Sequence, residues 1–98
     1  MSLLANIDHI AAADGVVAVT IATPGREPAF RGVDRWAALL DGALGLLART
    51  DEPSIRLIVG EHTIIAQKEL GQTIAVVLPT GHPVAKSLRR MIRRMARK

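Results

Sequence analysis

The chain has 98 residues, 49% of them apolar and 22% charged, which argues for one compact domain with a modest core and against disorder. It has no cysteine, so disulfides, thiolate metal sites and thiol nucleophiles are excluded, and its one Trp, one Phe and no Tyr give poor support to a stacking-based single-strand binder. The net charge of +4 is polarised: all nine acids lie in residues 1–85, whereas residues 86–98 hold seven of the thirteen basic residues, so an anionic partner is to be sought at one end.

No apolar run approaches the roughly 18 residues of a membrane-spanning helix. The N-terminal stretch, with Asp8 and no early Lys or Arg, lacks a secretory pattern, and the chain reads as cytoplasmic.

In chain order, "SLLANIDHIAAAD" sets Leu3, Leu4, Ile7, Ile10 and Ala11 at helical spacing, with Ser2 as N-cap and Gly15 as stop. "VVAVTIAT" reads as a strand that is apolar on both faces. Pro24-Gly25 suits a tight turn into a second strand, "EPAFR", whose Pro28 cannot donate to a ladder and therefore belongs at a strand start or on an edge. Asp34 is placed to cap a middle helix through "RWAALLDGALGLLART", where Trp36, Leu39, Leu40, Ala43, Leu44 and Leu47 recur every three or four residues before Pro53 ends the segment. "SIRLIVG", "TIIAQKEL" and "TIAVVL" follow as an antiparallel meander with breaks at Glu61-His62 and Gly71-Gln72. A last helix starts after "PTGHP", with Pro83 at a permitted first-turn position.

The predicted fold is a single α+β domain over residues 1–98, in the order α-β-β-α-β-β-β-α. Its five-stranded antiparallel sheet is sandwiched by helices, which explains why the first and fifth strands are apolar on both sides.

With these elements laid out, the chain resembles the roadblock/dynein light chain family, whose layered order is shared with profilin-like domains. The resemblance covers nearly the whole chain. It rests on the helix ending "ADG" before "VVAVTIAT", the two-stranded turn, the long alanine-leucine middle helix, and "TIAVVLPTG" before the final helix. It implies a small non-enzymatic homodimer that joins its sheets edge to edge, with the third strand as the dimer edge, and sets its middle helices side by side. It also implies partners: several bacterial and eukaryotic members bind Ras-like small GTPases, and some regulate hydrolysis by remodelling the GTPase's switch loops. No cofactor is implied.

Three features stand beside that resemblance. In the middle helix Ala38, Gly42, Gly45 and Arg49 form a small-residue stripe ending in a guanidinium. Two interior helical glycines cost roughly 1 kcal/mol each, so another backbone should come close: the sheet beneath, a twin helix, or a GTPase laid across the pair. Trp36 reads as a core or interface anchor whose indole N–H needs a partner if buried. In the third strand Ile55, Leu57 and Val59 alternate with Arg56, Ile58 and Gly60, and an open apolar edge of this kind favours pairing with a second copy.

The basic end has its own pattern. Val84, Leu88, Met91, Ile92 and Met95 make one stripe of the last helix, and Lys86, Arg89, Arg90, Arg93, Arg94 and Arg97 fill the rest. The main expectation is a docked helix with a solvated basic back. The alternative function is binding of nucleic acid or an acidic membrane surface through this face.

Catalytic patterns are absent from the sequence. His9, His62 and His82 lack metal-like spacing, there is no nucleophile elbow, and a phosphate loop ending at Lys86-Ser87 would need glycine at Thr80 and Ala85. Arg26, Arg31 and Arg35 invite comparison with an arginine finger but read as solvated.

Overall fold

The computed structural model describes residues 3–69, 71–82 and 84–96, with side chains described through residue 82 and over 87–94. Its elements are α1 (Ile7–Ala11), β1 (Ala18–Ala22), β2 (Ala29–Gly32), α2 (Ala37–Ala48), β3 (Ser54–Val59), β4 (His62–Glu69), β5 (Gln72–Pro79) and α3 (Val84–Ala96). The class is α+β, and the five strands form one antiparallel sheet ordered β2-β1-β5-β4-β3.

The sheet has a core on each face. Val19, Ile21, Ile65, Ile74, Val76 and Leu78 pack with Leu3, Ile7 and Ile10 of the N-terminal segment and with Leu88 and Ile92 of α3. Ala18, Ile64, Ala66, Ala75 and Val77 turn the other way, against Trp36, Leu40, Ala43, Leu44 and Leu47 of the α2 layer. Because side chains alternate along a strand, β1 and β5 must be apolar at successive positions to serve both cores, and that is what the sequence of each encodes.

Several local expectations are corrected. The first helix is shorter than predicted: a 3-10 turn over Leu4–Asn6 leads into the five-residue α1, and Gly15 at φ +85° reverses the chain. Asp34 does not cap α2. The extended residue is Val33, one position earlier, so Asp34 already lies inside a 3-10 turn (Asp34–Trp36) and neither helical start carries a side-chain cap. Leu39, predicted with the inward set, is 44% exposed. The β3–β4 turn is Gly60-Glu61, with His62 already in β4, and Gln72 likewise belongs to β5. Pro28 immediately precedes the edge strand β2, where its missing N–H costs no ladder bond. The predicted roles of Ser2 and Pro83, and the last position of the predicted fourth strand, Leu70, fall outside the described residues.

Gly32 is the glycine with no alternative. At φ +122° its backbone runs so close to the start of β1 that a Cβ would lie 2.5 Å from the Val17 carbonyl oxygen and 2.6 Å from the Ala18 Cα.

Candidate interaction surface

The outer side of α2 carries the small-residue stripe. With 3.6 residues per turn, the buried Leu40, Ala43, Leu44 and Leu47 define one side, and the stripe Ala38, Gly42, Gly45 and Arg49 falls on the opposite one, all four exposed. A Cβ added at Gly42 or Gly45 would meet nothing within 4 Å. The sheet beneath is therefore removed from the candidates for close approach. Leu39 and Leu46, 44% and 51% exposed, flank the stripe on one side, so this face is apolar as well as small.

Trp36 anchors the start of α2. It is 5% exposed, within the α2-side core, and its ring lies 4.8 Å from that of His62 at an interplanar angle of 57°. The Arg35 guanidinium sits 5.7 Å from the indole centroid on the outer side. Trp36 Nε1 is buried without a hydrogen-bond partner among the described residues, so the need anticipated from the sequence is not met there.

β3 lies at one end of the sheet and pairs only with β4. Its alternation follows the expectation: Ile55, Leu57 and Val59 pack towards the α2-side core, whereas Arg56 and Ile58 are exposed on the other face. Gly60 departs from it, lying in the turn. Lys68 N–H donates to the Pro53 carbonyl at 2.8 Å, which sets the phase of the ladder: odd-numbered β3 residues bond to β4, and Ser54, Arg56 and Ile58 direct their N–H and C=O to the open edge. Ile58, at 69%, is an exposed apolar side chain beside that edge.

α3 is docked through Leu88 and Ile92, both fully buried, with Met91 packed beside them. Arg89, Arg90, Arg93 and Arg94 are exposed. Arg93 faces Glu69 at 3.6 Å, and Arg89 Nη2 donates to Ser54 Oγ at 3.1 Å. The side chains of Lys86 and Arg97, and the stripe positions Val84 and Met95, fall outside the description.

The other candidates do not assemble. Arg31 is engaged by Asp8 at 2.9 Å and Arg35 by Trp36, so the arginine cluster is divided between local contacts. Among the described residues no three His, Asp or Glu gather as metal ligands. No helix of the described residues is long and apolar enough to cross a membrane. Sequence spacing gave no role to Leu46 or Ser54; the first became visible once α2 was oriented, the second once α3 was seen over β3.

The chain matches no known family model, and no curated protein matches it.

Proposed function

We propose that the chain is a roadblock-like, non-enzymatic homodimer of the cytoplasm, a platform that binds or regulates a Ras-like small GTPase or a related roadblock-type protein. The observation that carries the reading is the outer side of α2. Gly42 and Gly45 weaken the helix by roughly 1 kcal/mol each, and a Cβ at either would meet nothing within 4 Å among the described residues, which is the arrangement expected where a second backbone comes close.

The open edge of β3 supports the same assembly. A two-fold pairing of β3 with its copy keeps the sheet faces aligned only if outward-directed residues meet outward-directed residues. Setting Arg56 on the axis would oppose two guanidinium groups directly, which is destabilising. Setting Leu57 on the axis instead pairs Arg56 with Ile58 of the second copy, covers the exposed Ile58 with an arginine stem, and lets Ile55 face Val59. The paired α2 helices then form the partner-binding surface with the exposed Ala38, Gly42, Gly45 and Arg49, while Trp36, expected on that surface, is buried in the core and can only anchor the start of the helix from beneath.

The alternative, membrane or nucleic-acid binding by α3, has less support. Leu88 and Ile92 are buried against the sheet, so the apolar side of α3 cannot also enter a bilayer without undocking. The deciding experiment is a pull-down with the chain as bait in GDP and in non-hydrolysable GTP analogue. Recovery of a small GTPase in one nucleotide state supports the platform; recovery of nucleic acid and no GTPase contradicts it.

A further inference from the structure

A second feature lies on the sheet face opposite α2. A cleft of about 190 Å³ opens between β3 and α3, lined by Ser54, Ile55, Arg56, Ile65 and Arg89. Two of its five lining residues are arginines and none is acidic. Arg89 Nη2 donates to Ser54 Oγ at 3.1 Å in a solvent-exposed contact, and neither it nor Arg56 has an ion-pair partner among the described residues. The acid on this face of β4, Glu69, is already engaged: it accepts from Gln67 Nε2 at 3.0 Å and faces Arg93 at 3.6 Å. The floor is apolar, since Ile65 is buried.

We propose that this cleft is a binding site for a compact oxyanion, a phosphate or carboxylate group presented by a ligand. Guanidinium groups bind such groups through paired, charge-assisted hydrogen bonds. The Ser54 hydroxyl biases the Arg89 side chain towards the cleft, which lowers the freedom lost on binding. All five lining residues come from one chain.

The test is an amide chemical-shift titration of the intact chain with inorganic phosphate, with acetate in parallel, and with sodium chloride at matched ionic strength as control. Saturable shifts centred on Ser54, Arg56 and Arg89 in phosphate, acetate or both are expected; the stronger arm identifies the chemical source. Arg89→Gln and Arg56→Gln should each weaken binding by about tenfold, the loss of one charge-assisted hydrogen bond. Ser54→Ala, which frees Arg89, should weaken it several-fold, and Arg90→Gln and Arg94→Gln should leave it unchanged. Shifts that follow chloride equally, that spread evenly along α3, or that survive both Arg56→Gln and Arg89→Gln would overturn the site.

Discussion

The Trp36 and His62 rings meet at 4.8 Å and 57°, tying the start of α2 to the first residue of β4. The indole supplies apolar area to this contact while its Nε1 has no hydrogen-bond partner among the described residues. Trp36→Phe therefore keeps the ring pair and removes a buried donor that is unsatisfied in the folded chain; its cost should stay within about 1 kcal/mol. Trp36→Ala should cost about 3–5 kcal/mol, the range for emptying a large aromatic site. Urea unfolding followed by circular dichroism measures both. A Phe variant as unstable as the Ala variant would show that Nε1 bonds to something essential.

Glycines 32 and 42 should respond in opposite directions. Gly42→Ala places a methyl in open space on a helix and should raise the intrinsic stability of the chain by about 1 kcal/mol. Gly32→Ala drives a methyl into the Val17 carbonyl at positive φ and should cost about 2 kcal/mol or more. Denaturation at high dilution, where any pairing contributes least, separates the two. On the proposed platform the same Gly42→Ala change weakens partner binding, so a stabilised chain that binds its partner less well is the combined expectation.

The contrast between these glycines marks how far the sequence could be read. Two-sided apolar strands such as "TIAVVL" announced a sheet covered on both faces, because alternation alone assigns successive residues to opposite cores. Helical spacing located α2 and its small-residue stripe. It could not orient that stripe, since a 3.6-residue repeat shows which residues share a side but not what covers it, and Leu39 was consequently counted inward. Asp34 failed as a cap because the entering chain becomes extended at Val33, a backbone detail that no residue identity reveals. The Ser54–Arg89 contact joins residues 35 positions apart and arises only from α3 lying over β3.

α3 should behave as a core element with a charged back. Leu88→Ala should cost about 2–5 kcal/mol, whereas Arg94→Gln should change stability by no more than about 0.5 kcal/mol. Thermal or urea unfolding compares them. Equal, small effects would mean that α3 is not held through its apolar stripe.

The register proposed for β3 has a covalent test. Facing residues at a non-hydrogen-bonded antiparallel position have Cα atoms about 4.5 Å apart, within disulfide reach. Since the chain has no cysteine of its own, Leu57→Cys should form a cross-linked dimer under mild oxidation, and Arg56→Cys should do so less readily. The reverse ranking would move the axis to Arg56.

The most direct measurement is the solution mass of the unmodified chain by light scattering, beside Ile58→Glu. The platform account predicts twice the 10.5 kDa chain mass for the native sequence, falling towards 10.5 kDa in the variant, with its circular dichroism spectrum unchanged. A native chain that remains at 10.5 kDa across the accessible concentration range would contradict it.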